Sequence, residues 1–121
     1  MGFFENMFPQ RSINGMCLAA ACGDLRVVEE FLDSGVDIDG IHEDGGTALM
    51  LAAYRGNIEI VKYLVDRGAD IRKKDKGVTA LDVVNHVYHQ WHSNKISGGK
   101  YGKDGMLIRL DKVKKYLTEM M

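Results

Sequence analysis

The chain has 121 residues, a formal net charge of −1, two cysteines and one proline, enough for one domain around a single apolar core. It has no secretory leader pattern, no apolar run long enough to span a membrane and no disulfide framework, which points to a reducing cytoplasm. It also lacks a phosphate loop, a dinucleotide fingerprint, a nucleophile elbow and a metalloprotease helix motif, so the sequence offers no catalytic residue, metal ligand set or cofactor site.

At the start, Phe3, Phe4, Met7 and Phe8 fall at i, i+1, i+4 and i+5, one side of a helical turn. Two readings stand: a cover over the apolar edge of the first helical unit, or an anchor for a partner. The Met1-Gly2 opening places Asn6 where a myristoylation signal requires Ser or Thr, so lipidation is not expected. Cys17 and Cys22 lie five apart on a predicted helix, a spacing of neither a zinc knuckle nor a redox pair, and a disulfide between them would distort that helix.

The chain then repeats itself. Leu18, Ala19, Ala20, Gly23, Val28, Asp33, Gly35, Asp37 and Ile38 recur as Leu51, Ala52, Ala53, Gly56, Val61, Asp66, Gly68, Asp70 and Ile71, each pair 33 residues apart. A fixed period of this size marks supersecondary units that bury their apolar faces by stacking on one another. Within the second unit, Leu49, Ala52 and Ala53 share one face of a short helix that Gly56 ends, and the alanines allow close approach of a neighbour. Ile58, Val61, Leu64 and Val65 mark one stripe of a second helix, with Gly68 as its left-handed terminator. The run 69–77 has turn residues and charges without helical period, as suits a projecting loop or hairpin. Thr79 then reads as an N-cap with Asp82 as the capping-box acid three residues on.

The stretch Gly46–Ile71, which contains Thr47-Ala48-Leu49-Met50-Leu51-Ala52-Ala53 and Ile60-Val61-Lys62-Tyr63-Leu64, resembles an ankyrin repeat along nearly its whole length. Residues 1–41 then hold an N-terminal segment and a degenerate first repeat, 42–74 the second, and 75–121 an extended third with an inserted loop at about 93–105. Where that family has Thr-Pro-Leu-His, this chain has Thr47-Ala48-Leu49-Met50 and Thr79-Ala80-Leu81-Asp82, without the proline and the histidine. The resemblance implies an all-α solenoid of helix-turn-helix units with projecting loops or hairpins.

In the third unit, Leu81, Val84, Tyr88 and Trp91 carry a helical stripe past the point where Gly56 stops its counterpart, and Met106, Leu110, Val113, Leu117 and Met120 form a stripe on the last helix. Both helices are therefore expected to be elongated. Trp91 reads first as a core residue of this cap and second as part of a surface. The loop between the helices is rich in Gly, Ser and Lys, a composition of functional or disordered connections. His86, His89 and His92 are spaced by three, which turns each about 60° around a helix from the last, so the three do not converge on one ion unaided.

Charge is segregated along the chain. Up to Asp44 there are nine acidic residues against Arg11 and Arg26, giving −7, and the net of −1 leaves +6 for the remainder. The resulting axial dipole can steer an acidic protein; no nucleic-acid motif accompanies the lysines, so nucleic acid is not an expected partner.

The resemblance implies a non-catalytic protein-binding module whose loop tips and inner helices grip a protein; a monomer is expected. Carried over position by position, the contact residues are Glu43, Asp44, Tyr54, Arg55, Lys74, Lys76, Val78, His86 and Val87, with His89 extending the surface. The expected role is an adaptor or a stoichiometric inhibitor, for instance an immunity or antitoxin protein masking a toxin or enzyme. The alternative is a small-ligand or metal site in the elongated third unit.

Overall fold

The computed structural model describes residues 9–92 and 102–121. Among these residues the regular structure is six helices: α1 (Pro9–Cys22), α2 (Leu25–Asp33), α3 (Ala48–Tyr54), α4 (Ile58–Asp66), α5 (Ala80–His92) and α6 (Gly102–Met120). They form three antiparallel pairs. The inner helices α1, α3 and α5 pack side by side in chain order, and α2, α4 and α6 each lie behind their own partner.

Small residues set the spacing of the inner row. Ala20, Ala48, Ala52, Ala53 and Ala80 are buried, and none has a side chain long enough to hold neighbouring helices apart. The outer helices fill the space behind with branched residues: Val28 and Leu32 from α2, Ile60, Val61 and Leu64 from α4, and Leu110, Val113 and Leu117 from α6. The α4 stripe is rotated from the sequence reading. Ile60 is buried while Ile58 and Val65 are half-buried, because α4 packs against α6 as well as α3.

Helix ends follow local chemistry. The Thr47 hydroxyl accepts the Met50 N–H at 3.3 Å, and Thr79 and Asp82 make the reciprocal capping pair at 3.0 and 3.2 Å. At the end of α3, the Asn57 N–H bonds Ala52 O at 2.9 Å and the Gly56 N–H bonds Ala53 O at 3.0 Å, a Schellman closure with Gly56 at φ +70°. Gly56 is doubly constrained, since a Cβ there would lie 2.9 Å from the Arg109 Cβ of α6.

The first pair departs from the others at its start. Asn14-Gly15-Met16 aligns with the Thr47-Ala48-Leu49 cap, yet α1 runs straight through it and begins at Pro9, a favourable first helical residue. Gly15 is retained mid-helix because the Phe31 ring of α2 packs on its backbone, with Cζ only 2.6 Å from where a Cβ would be. Phe3, Phe4, Met7 and Phe8 lie outside the described residues.

The third pair is elongated as expected, with 13 residues in α5 against 7 in α3 and 19 in α6 against 9 in α4. Trp91 belongs to the core at 9% exposed, whereas Met120 leaves the expected stripe at 49% exposed. The loop expected at about 93–105 is shortened at its far end, where α6 begins at Gly102; residues 93–101 lie outside the described set.

Side-chain bonds tie the units together. Asn57 does not cap its own helix; its amide donates to Ala20 O at 2.9 Å and Ala21 O at 3.3 Å, and its Oδ1 accepts from Arg109 at 2.7 Å. One residue of the second pair thus bonds to both its neighbours. Among the loops, Asp39 Oδ1 accepts the Asp70 N–H at 2.9 Å, Asn14 Oδ1 the Glu43 N–H at 3.0 Å, and Asp75 Oδ2 the Gly46 N–H at 2.7 Å.

Two substitutions should change stability in opposite directions. Asn57→Ala removes the amide shared by the Ala21 carbonyl and the Arg109 guanidinium and should cost about 2 kcal/mol, read as a lower urea midpoint at unchanged m-value. Lys76 holds φ +54°, the one non-glycine residue at positive φ among those described. Lys76→Asn, which enters that region more readily, should stabilise by about 0.5 kcal/mol in the same titration.

Candidate protein-binding surface

Two projecting fingers and the inner helices form the surface that gathers most of the expected contact residues. The first finger turns at His42–Gly46, closed by the His42 N–H to Gly46 O and the Gly45 N–H to His42 O, both 2.8 Å. The His42 ring is largely buried, and its Nδ1 accepts the Asp44 N–H at 3.0 Å. The second finger is the tight turn Asp75-Lys76-Gly77-Val78, closed by paired bonds between Asp75 and Val78 at 3.0 and 3.1 Å. Positive φ at both Lys76 and Gly77 is the pattern of a two-residue type I′ hairpin.

Between the fingers lies a groove of about 240 Å³. Met50, Leu51 and Val83 from α3 and α5 give it an apolar lining; Tyr54 and Val78, 47% and 42% exposed, contribute further apolar surface. Asp44 and Lys76 bring opposite charges to it. Four of the expected contact residues, Asp44, Tyr54, Lys76 and Val78, therefore meet at one groove. Arg55 stands beside them with its guanidinium 5.9 Å from the Tyr54 ring centroid, a cation–π distance. Glu43 and Lys74 are exposed on the two fingers and do not line the groove.

Val87 is not a contact residue. It is 3% exposed, because α5 continues where α3 stops. In the second pair the equivalent Arg55 caps the helix and turns outward; in the third, position 87 stays in the helix at i+3 from buried Val84 and packs into the core. His86 and His89 are exposed but lie apart from the groove. The His86 ring meets the Gln90 amide at 3.1 Å, and His89 lines a separate hollow of about 410 Å³ with Asn85, Tyr88 and Lys114. No group of three metal-ligating side chains comes together among the described residues.

The basic run 72–76 is also divided by the fold. Arg72 donates to Met121 O at 2.9 Å and Lys73 to Asp39 O at 2.7 Å, which leaves Lys74 and Lys76 as the cations of the second finger.

Sequence reasoning missed the apolar part of the groove. Leu18, Leu51 and Val83 occupy equivalent positions of α1, α3 and α5, with Leu18 56% exposed. The signal was present, since Leu18 and Leu51 are a repeated pair lying one position off the face that carries Ala52, but repetition alone reads as core.

A family model described as ankyrin repeats (3 copies) matches residues 16–84, more than half of the chain. The chain belongs to the ankyrin-repeat family. A relative, the ankyrin repeat and SAM domain-containing protein 6 of Rattus norvegicus, is 45% identical over 73 residues, which covers 57% of this chain and 8% of that protein. The chain thus corresponds to a small part of that relative's length. Ankyrin repeats are generally protein–protein interaction modules and typically non-catalytic. No helix among the described residues is long and apolar enough to cross a membrane.

The two thiols of this ankyrin domain differ sharply. Cys17 is fully buried and Cys22 exposed, and both are free. Burial pushes the Cys17 thiol from about 9 up to about 11, against a smaller downward pull from a hydrogen bond with the His42 backbone. At pH 8, a thiol reagent should therefore modify one cysteine, Cys22, rapidly in the native protein and both after denaturation. The Cys17 contribution to stability should be complete below pH 9 and be lost as pH rises toward 11, where the unfolded thiol ionises and the folded one does not, by about 2 kcal/mol; urea midpoints across that range, compared with Cys17→Ala, measure it.

Proposed function

We propose that this ankyrin domain binds one protein partner stoichiometrically through the groove between its fingers. The observation that carries this reading is the coincidence of exposed Tyr54 and Val78 with an apolar lining and a charged rim in one concavity. Large amphipathic and apolar side chains around a desolvated centre, ringed by charge, are the make-up of a binding hot spot. Ankyrin repeats in general act in this mode. Occlusion of a partner, as an inhibitor or an immunity-type protein, is the form we favour over an adaptor. The two free thiols suit a reducing, cytoplasmic setting. A second reading, a small ligand in the elongated third pair, draws support from the hollow beside His89 and Lys114.

The test is affinity capture from source-cell lysate with the intact chain beside Tyr54→Ala/Arg55→Ala, followed by mass spectrometry. One near-stoichiometric protein should be recovered and fall at least tenfold with the variant, a loss of about 1.4 kcal/mol or more. Loss of that protein's activity on equimolar addition of the chain identifies an inhibitor; retained activity identifies an adaptor. Equal recovery by both forms rejects the groove, and a chemical-shift titration of His89 with small acidic metabolites then becomes the next experiment.

A further inference from the structure

We infer that the partner segment is an uncharged polyproline II stretch with an apolar residue at every third position, laid across the inner helices beside the fingers. This rests on the groove-binding reading and specifies its partner. Leu18, Leu51 and Val83 occupy equivalent positions of α1, α3 and α5, helices that pack side by side. Leu51 and Val83 line the groove, and Leu18, 56% exposed, continues the row beyond it. The row repeats once per unit, at the spacing of adjacent helices, about 8–10 Å. Polyproline II turns once every three residues and rises about 9 Å per turn, so its side chains at i, i+3 and i+6 share one face at that spacing. An extended strand repeats its face every two residues, about 7 Å, and falls out of step with the row. An α-helix returns to one face about 10.5 Å on, but its diameter of about 10–12 Å is too large for a concavity of about 240 Å³, which takes one or two side chains and a slim backbone.

Charge complementarity selects the same class of segment. Asp44, Asp75 and Lys76 line the groove and Arg55 stands beside it, two charges of each sign. They are interleaved: the Lys76 ammonium and the Asp75 carboxylate each lie 3.2 Å from where a Cβ on Gly45 would be. Exposed Glu43 and Lys74, one on each finger, add one more charge of each sign. A surface whose charges compensate one another at short range offers a charged segment no net attraction to offset its desolvation, whereas a neutral segment meets no such cost. The backbone of polyproline II makes no internal hydrogen bonds and its prolines carry no N–H, so the segment arrives with bare carbonyl acceptors. Donors stand at the groove to meet them: the Tyr54 hydroxyl, the Arg55 guanidinium and the Lys76 ammonium. Tyr54, 47% exposed, also provides an aromatic surface for a proline ring, and a segment already in this conformation loses little entropy on docking.

The test is selection of a phage-displayed library of random 12-residue peptides on three forms of the chain: native, Leu18→Ser and Tyr54→Ala. The native chain should enrich uncharged, proline-containing peptides with apolar residues at i, i+3 and i+6. In fluorescence anisotropy, a selected peptide should bind Leu18→Ser about fivefold and Tyr54→Ala about tenfold more weakly, and its affinity for the native chain should change by less than about twofold on raising salt to about 0.5 M. Both side chains are exposed, so each variant should keep the native urea midpoint, and a loss of binding is then not a folding defect. Apolar residues enriched at i and i+7 or at alternate positions, a net charge on the enriched peptides, a steep salt dependence, or no enrichment on the native chain overturns the inference. If Tyr54→Ala abolishes binding while the spacing of three is absent, or while Leu18→Ser binds as the native chain does, groove binding stands and the polyproline II segment falls. If binding survives Tyr54→Ala unchanged, both fall.

Discussion

The side chain of Asn57 sits where the three helix pairs meet, and the stack is organised around it. Its amide donates to the closing carbonyls of α1, while its oxygen accepts from Arg109 on α6. These are polar groups at a partly buried junction, where an unmade hydrogen bond is costly and a made one is directional. Apolar contact alone lets stacked helices slide by fractions of a turn; a three-way amide junction holds them in one register. Gly56, immediately before it, allows α6 to approach to the point where no Cβ would fit. The register of the inner helices in turn decides where the fingers stand, and with them the groove.

Finger geometry depends on the same logic at smaller scale. Each finger is closed by its own backbone bonds, but its position is set by a side chain from another unit: Asn14 holds Glu43, Asp75 holds Gly46, and Asp39 holds Asp70. Bonds of this kind consume acidic and amide groups internally. Arg72 and Lys73 likewise donate to carbonyls of other units. Among the charged residues of the two fingers, Glu43, Asp44, Lys74 and Lys76 are exposed.

Elongation of the third pair gives the stack a different ending. In the second pair α3 stops after two turns and releases Tyr54 and Arg55 to the surface. In the third, α5 runs on, and Val87 and Trp91 of the added length are buried in the core that α5 shares with α6. The same aligned position thus faces the surface in one unit and the core in the next. Correspondence between repeats carries backbone geometry faithfully; it carries side-chain roles only where the flanking helix ends at the same place.

Much was legible in the sequence because it depends on neighbours along the chain. The 33-residue period, the Thr79 cap, the Gly56 and Gly68 terminators and the small-residue face of α3 each arise from local propensity and spacing, and each stands in the structure. Asp44, Tyr54, Lys76 and Val78 were named only through the family resemblance, which carries finger and helix-end positions from repeat to repeat, and the fold brings these four to one groove. The burial of Val87, the passage of α1 through Asn14-Gly15 and the exposure of Leu18 were settled by tertiary packing: how far α5 extends over α6, how closely Phe31 lies on Gly15, and which side of the inner row meets a neighbour. Periodicity in one chain segment says which residues share a face, whereas the surface that covers that face belongs to another segment, and only the folded stack brings the two together.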